Sequence, residues 1–394
     1  MKILVTGASG FVGQNLTEQL KNIRDGKAKN TPLDGEPLEI MTSTPKSGAA
    51  ALTACCGQAD AVVHLAGVNR ADHLYKFETG NVEFTRQLLA NLKQNPKKPA
   101  VIFASSIHAG KDTPYGRTKK EAEDLIFAYG AETGARTVVY RFTNLFGKWC
   151  RPDYNSVTAT FCRNIAADLP IRIDDRQTAL TLTYIDDVVE ELLRALAGHA
   201  QIQDGYGCVK ETTRVTLGEL ADLLQRFHAA HKAGELPCLP GAFEQKLYAA
   251  YLTYLPDADL RQALQPKADE RGSFTELLHI QNGGQISVNV SRPGVTKGQH
   301  WHHSKHERFI VVKGHGLIQT RRIGTDAEGK PYPIRSYEVW GEKPEVITMV
   351  PGCTHNLINL SEQEEMITII WANEAFDPEH PDTYREPVSI RRSV

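Results

Sequence analysis

At 394 residues the chain exceeds the size at which a single hydrophobic core usually keeps growing, so two domains are expected. Its 45 basic and 47 acidic residues balance without a long run of either sign, which gives no field to gather nucleic acid or anionic lipid and points to a small-molecule partner. Seven cysteines, with only Cys55 and Cys56 adjacent and no C-x-x-C pair, argue against a disulfide framework and a thiolate zinc site.

The opening MKILVTG holds a short apolar run that passes straight into glycine-rich sequence. That is the pattern of a buried strand rather than a signal peptide or membrane span, and a cytoplasmic protein away from membranes is expected. In TGASGFVG, Gly7, Gly10 and Gly13 follow this strand at the start of a helix from about Gln14. Glycines there permit a tight turn and let a pyrophosphate approach the helix amino end, although a plain glycine-rich turn has the same letters. EIMTS and AVVHLAG read as further strands, followed by a helix from about Asn81, the strand AVIFASS, a helix from about Tyr115 and the strand RTVVYRF. Such alternation implies a Rossmann-like, doubly wound α/β fold, a parallel sheet covered on both faces. The stretch LEIMTSTPKS ends without an acidic residue to bind an adenosine ribose diol, so NADPH is favoured over NADH. Thr42, Ser43 and Lys46 would receive its 2′-phosphate.

Tyr115 and Lys119 in YGRTK are four apart, on one helical face, with Ser105 and Ser106 upstream at the end of AVIFASS. A phenol beside an ammonium is expected to be a lowered-pKa acid, and a serine hydroxyl would position a carbonyl oxygen, the requirements for hydride delivery to a ketone. Together with TGASGFVG, DAVVHLAG, GNVEFT, RFTNLFG and TYIDDVV, these residues resemble the extended short-chain dehydrogenase/reductase family over about residues 1 to 245. The resemblance implies Ser106, Tyr115 and Lys119 as the catalytic set, Leu65, Ala66 and Lys119 near the nicotinamide and ribose, and Asn144 near a bound sugar nucleotide. Ser105 is the weaker substitute for Ser106.

Residues 241 to 265 predict a helix and a proline-bearing connection, which gives a first domain over 1–248, a linker over 249–265 and a second domain over 266–394. There the segments turn short, β-branched and divided by glycine and proline, as in QISVNVSRPG, RFIVVKGHGLIQT, PEVITMVPG and EMITIIWAN, which predicts an antiparallel sandwich or barrel.

The tract GVTKGQHWHHSKHERFIVVKG places four histidines in seven positions and then a glutamate. His300 and His302, two apart on a strand, share a face, Glu307 follows a turn at about Ser304 and Lys305, and PGCTHNLIN supplies His355 from a later strand. Three imidazoles and a carboxylate make a site for a first-row divalent metal, with zinc preferred for its redox silence and ligand atoms expected at about 2 Å. His303, His306 and His315 are expected to face outward or shape the rim. The spacing is similar to the two motifs of the cupin family, a small all-β barrel. DERGSFTE, from Asp269 to Glu276, resembles the nucleotide-sugar 3,5-epimerase branch of cupin-like enzymes, which implies that Arg271, Phe274 and Glu276 contact a nucleoside diphosphate; a turn into an edge strand is the plainer alternative.

End to end, LAGVNR, NLFGKWC, YNSV, ATFC, TLGE, RGSFTE, KGQHWHH and FDPEHPDTY resemble the bifunctional capsular polysaccharide enzymes of UDP-N-acetyl-L-fucosamine biosynthesis, which join a short-chain reductase to a cupin. The resemblance implies that the cupin epimerises the third carbon of UDP-2-acetamido-2,6-dideoxy-4-ketohexose, that the reductase delivers hydride from NADPH to give UDP-2-acetamido-2,6-dideoxy-L-talose, and that a homodimer forms through the cupin. Two alternatives stay open: a metal-dependent cupin dioxygenase, and a sugar-nucleotide-binding module. The epimerase acid and base also stay open among Lys297, His303, Tyr332 and Tyr337.

Overall fold

A computed structural model describes residues 1–44 and 47–389. They group into two units, Met1–Gln225 with Pro240–Pro256, and Arg226–Leu239 with the chain from Asp257 onward. The last crossing lies inside the 249–265 segment; the excursion of 226–239 was not expected from the sequence.

In the first unit the elements run β1 (Lys2–Thr6), α1 (Phe11–Arg24), β2 (Glu39–Ser43), α2 (Gly48–Gln58), β3 (Ala61–His64), α3 (Tyr75–Phe77), α4 (Phe84–Lys93), β4 (Ala100–Ser106), α5 (Pro114–Thr133), β5 (Thr137–Phe142), β6 (Asn144–Phe146), α6 (Val157–Ala166), β7 (Ala179–Tyr184), α7 (Ile185–Leu196), β8 (Ile202–Gln203), β9 (Tyr206–Gly207) and β10 (Thr212–Thr216). The main sheet has the order β2-β1-β3-β4-β5-β9-β8, parallel as far as β9. Period-two alternation explains why both faces are apolar. On β1, Ile3 and Val5 join Leu16 and Leu20 of α1 and Val188 and Leu192 of α7, while Leu4 joins Leu88, Phe103 and Ile126 on the other face. Each such aliphatic side chain contributes about 1.5–3 kcal/mol by leaving water. A small second sheet, β10-β7-β6, brings Asn144 beside Thr181.

After β10 come α8 (Leu217–Ala233), β11 (Glu235–Leu236) and α9 (Ala242–Leu252). The second unit continues with β12 (Lys267–Asp269), β13 (Gly272–Ile280), β14 (Gly284–Ser291), β15 (Thr296–Trp301), β16 (Glu307–Lys313), β17 (His315–Arg322), β18 (Arg335–Trp340), β19 (Val346–Met349), β20 (Cys353–Asn359), β21 (Met366–Ala372) and β22 (Tyr384–Arg385). Two sheets form, β11-β13-β14-β21-β16-β19 and β18-β17-β20-β15-β22. Their shared core takes Phe309, Val311, Met349 and Met366 from the first and Ile318, Val339 and Leu357 from the second. The expected all-β architecture is therefore present as two packed multi-stranded sheets, and closure into one barrel by strand pairing is not seen among the described residues. The excursion has a simple cause: β11 adds two residues in parallel to the edge of β13, too short a strand for the sequence KAGELPC to announce. Among the described residues, no helix is long and apolar enough to cross a membrane.

Candidate active sites

The first unit builds its site at the carboxyl ends of its parallel strands. Gly7 turns the chain out of β1 at φ 69°, and a Cβ there would stand 2.6 Å from Ala66 N. A Cβ on Gly13 would stand 2.1 Å from Gly7 O, so only glycine lets α1 pack against the turn. Gly10 caps α1 with extended backbone and no side-chain hydrogen bond fills the cap, which leaves the first amides of the helix for an anion. Leu65 and Ala66 leave β3 beside this cradle, with Leu65 N donating to Thr6 O and Ala66 N to Thr6 Oγ1 at 3.2 and 3.3 Å. These features fit a dinucleotide. Of the residues expected near a 2′-phosphate, Thr42 is exposed, Ser43 is buried, and Lys46 lies outside the described residues.

Thr113 caps α5 through Gly116 N, and Pro114 occupies its first turn, which sets Tyr115 and Lys119 on one face one turn apart. Lys119 is buried, donates to Ala104 O at 2.7 Å and lies 4.2 Å from the Phe103 ring centroid. Burial pushes its ammonium down to about 7, against the carboxylate of Glu123, which holds it up. The Tyr115 phenol departs from the sequence expectation: burial raises it, and the opposing pull comes from a hydrogen bond with Ser106 rather than from the lysine. The two serines have different work. Ser105 Oγ donates to the buried Glu123 carboxylate at 2.6 Å, whereas Ser106 Oγ accepts from His108 N at 3.2 Å and draws the phenol's pKa downward. Asn144 is half-buried at the start of β6, its amide donating to Thr181 O at 3.4 Å.

In the second unit His300 and His302 come from β15 and its end, Glu307 opens β16, and His355 lies in β20 with its Cα opposite that of His300. A bulge at Gln299, whose φ is 64°, follows Gly298, where a Cβ would meet His355 O at 2.9 Å. It re-aims the strand so that both histidines face inward while Trp301 stacks outside on Tyr384. One nitrogen or oxygen from each of His300, His302, Glu307 and His355 lies within 4.8 Å of every other. Glu307 Oε2 sits 3.2 Å from His355 Nε2 and 3.5 Å from His302 Nε2, yet neither approach has hydrogen-bond geometry, so all three buried atoms are unsatisfied by protein. Buried polar atoms left without partners indicate something else that satisfies them, and this donor set fits a first-row divalent cation. Burial draws His300 down to about 4; at His302 burial acts in the same sense but Glu307 and the Asp382 carbonyl outweigh it. At Glu307 burial is opposed and overcome by the two facing imidazoles, which hold the carboxyl far below its ordinary range.

A cavity of about 530 Å³ is lined by His300, His302 and Glu307 and also by Arg271, Phe274 and Glu276, so the expected nucleotide contacts share one space with three of the four expected metal ligands. Arg271 is paired with Asp269 at 2.6 Å and Glu276 with Lys267 at 2.7 Å. Of the open acid–base candidates, Lys297 lines the cavity and His303, Tyr332 and Tyr337 do not. His303 is exposed, His315 stacks on Trp340 at the surface, and His306 is half-buried against Trp371.

Residues 3–206 match the NAD dependent epimerase/dehydratase family, and 267–384 match the polysaccharide biosynthesis C-terminal domain. The UDP-2-acetamido-2,6-beta-L-arabino-hexul-4-ose reductase of Pseudomonas aeruginosa is 37% identical over 387 residues, 98% of each chain. The chain belongs to the NAD dependent epimerase/dehydratase family. Among solved structures, the capsular polysaccharide assembling protein CapF from Staphylococcus aureus is 42% identical, covering 98% of this chain and 100% of that one at a TM-score of 0.86. The UDP-glucose 4-epimerase of Thermus thermophilus, at 18% identity, 64% of this chain, 99% of that one and a TM-score of 0.51, shares the fold.

Several supports of this family member's sites act through contacts that the sequence does not show. Glu123 accepts from Arg141 Nε and Nη2 at 2.9 and 2.6 Å and from Tyr206 at 3.3 Å as well as from Ser105. Asn81 ties down the loop after Ala66, accepting from Val68 N at 2.7 Å and donating to Val68 O at 3.0 Å. The Asp382 carbonyl, 80 residues along the chain, lies 2.5 Å from His302 Nδ1 and turns Nε2 toward the cluster. His64 is enclosed between Thr6 Oγ1 at 2.7 Å and Thr85 Oγ1 at 2.9 Å, and burial, with Lys119 nearby, pushes it down from 6.5 to about 3. The folded chain refuses a proton that the unfolded chain accepts below pH 6.5. This contribution to stability is therefore complete above that pH and is lost as pH falls toward 3, at up to about 1.4 kcal/mol per pH unit. Urea unfolding at pH 7 and pH 5 should show the decline, and His64→Gln should flatten it; an equal slope in both proteins would remove His64 as its source.

Proposed function

We propose that the chain is a bifunctional nucleotide-sugar enzyme of capsule biosynthesis. In this reading the second unit, a cupin, epimerises the third carbon of UDP-2-acetamido-2,6-dideoxy-4-ketohexose, and the first unit reduces the 4-keto group to give UDP-2-acetamido-2,6-dideoxy-L-talose. The observation that carries it is the match over 98% of the chain to a reductase named for a 4-ketohexose linked to UDP.

In the first unit Gly7, Gly10 and Gly13 bring the backbone against the pyrophosphate, with Leu65 and Ala66 beside the nicotinamide and Lys119 on its ribose. NADPH supplies the hydride. Ser106 donates to the carbonyl oxygen, Tyr115 passes its phenolic proton to the alkoxide as it forms, and Lys119 stabilises the phenolate left behind. Asn144 holds the sugar nucleotide.

In the second unit Arg271, Phe274 and Glu276 grip the nucleoside diphosphate. His300, His302, Glu307 and His355 would hold a divalent ion, zinc preferred for its redox silence, which would supply positive charge to the site. The carbonyl acidifies the neighbouring C–H; the proton leaves to a base of the cavity wall and returns on the opposite face. A homodimer through this unit accords with the exposed Tyr337 and Trp340 on the edge strand β18.

Incubating the UDP-4-keto sugar in deuterated water tests the whole reading by NMR. Without NADPH, deuterium is expected at the third carbon; with it, the keto signal should disappear as NADPH is oxidised. Turnover in neither incubation rejects the reading, and oxygen consumption in place of exchange would make the second unit a dioxygenase.

A further inference from the structure

Three lysines line the cavity, and their surroundings separate them: Lys267 is paired with Glu276 at 2.7 Å. Around the Lys297 ammonium stand three acceptors, Asn289 Oδ1 at 2.8 Å, Val290 O at 2.8 Å and Ser273 O at 3.4 Å. An ammonium carries three protons, so Lys297 is fully engaged in tying strands together and has none left for a ligand.

Lys305 is in the opposite state. The sequence places it in a turn, and in the structure it is only 7% exposed and lines the cavity with His302 and Glu307. Among the described residues its Nζ has no hydrogen-bond or ion-pair partner; what it faces is the Phe376 ring, with the centroid 5.9 Å away. The backbone beneath it is fixed. Asp382 Oδ2 accepts from Lys305 N at 3.0 Å and Ser304 N at 2.9 Å, and Oδ1 accepts from His303 N at 2.8 Å. The inward direction of the side chain is thus built by a clamp from the carboxy-terminal segment. An ammonium on a cavity wall without a protein acceptor keeps its three donors for an oxygen of the ligand.

We propose that Lys305 binds the carbonyl oxygen of the keto sugar in this cavity and stabilises the negative charge that grows there as the neighbouring C–H bond breaks. The proposal rests on the epimerase reading above. The C–H electron pair moves into the bond between the third and fourth carbons, the carbonyl π pair moves onto oxygen, and the proton goes to a cavity base. Reprotonation from the other face reverses these shifts, and Lys305 keeps its own protons throughout. The cation acts on the charge present in the transition state.

The test uses the full, metal-replete chain carrying Lys305→Met, with Lys305→Gln as the second variant should the first not fold. Deuterium incorporation into the UDP-keto sugar is measured without NADPH, with metal content by mass spectrometry and the affinities for UDP and for the keto sugar by calorimetry. Exchange is expected to fall about 10²–10³-fold, the loss typical of one oxyanion donor, with keto-sugar affinity weakened and UDP affinity and metal content unchanged. Exchange at the wild-type rate overturns the proposal. So does an equal loss of UDP affinity, which would place Lys305 on the diphosphate, or loss of the metal, which would make it a support of the cluster. Absence of exchange in the wild type is a separate result, read first, and it removes the epimerase reading itself.

Discussion

Tyr115→Phe is expected to lower kcat for keto-sugar-dependent NADPH oxidation by about 10²–10⁴-fold, the range for loss of a positioned general acid. The hydroxyl is the only group removed, so cofactor binding, read by fluorescence quenching, should persist. Thr113 and Pro114 start α5 so that Tyr115 and Lys119 share a face. Burial holds that phenol above its ordinary value in the free chain, which keeps it protonated and able to donate. Lys119, pushed down to about 7, is where a pH profile would show a limb: its charged form is lost as pH rises through that value. Reduction at the wild-type rate by Tyr115→Phe would remove the assignment of this site.

What the sequence made legible follows from how local each feature is. The strands of the first unit are short apolar runs, and their faces follow from alternation, as Ile3 and Leu4 show by joining opposite cores. The glycine turn and the Tyr115–Lys119 pair are local spacings, and local spacing survives folding. His300, His302, Glu307 and His355 were found because side-chain identity at set intervals on strands is preserved in register. Features that depend on distant backbone or on burial were hidden. Ser105 and Ser106 look alike in sequence, and they separate only because Glu123 arrives from α5 to claim Ser105. The carbonyl of Asp382 has no sequence signature, since every residue carries one. Lys305 reads as a turn until the segment around Asp382 covers it. The direction of the Tyr115 shift failed for the same reason: proximity of a charge can be read from spacing, but the depth of burial that outweighs it cannot.

His302→Ala is expected to strip most of the bound divalent ion and to abolish solvent-deuterium exchange at the third sugar carbon, both measured on the purified full chain. His302 is the informative donor because both of its nitrogens are committed, Nδ1 to the Asp382 carbonyl at 2.5 Å and Nε2 toward the cluster. An imidazole fixed in this way has no rotational freedom left to lose on binding an ion, so its removal takes away a preorganised ligand and leaves a void that a water fills poorly. The buried Glu307 carboxylate, now facing one imidazole fewer, bears an uncompensated charge, which compounds the effect. His303→Ala, one residue away but exposed, distinguishes loss of a ligand from general damage to the tract and should keep the ion. If His302→Ala kept a full complement of metal and exchanged deuterium at the wild-type rate, the unsatisfied atoms of His302, Glu307 and His355 would need another occupant, and water bridging them would become the better account. Equal loss in both variants would instead locate the effect in the strand, because the bulge at Gln299 that aims His302 inward also sets Trp301 and His303 on the outer face.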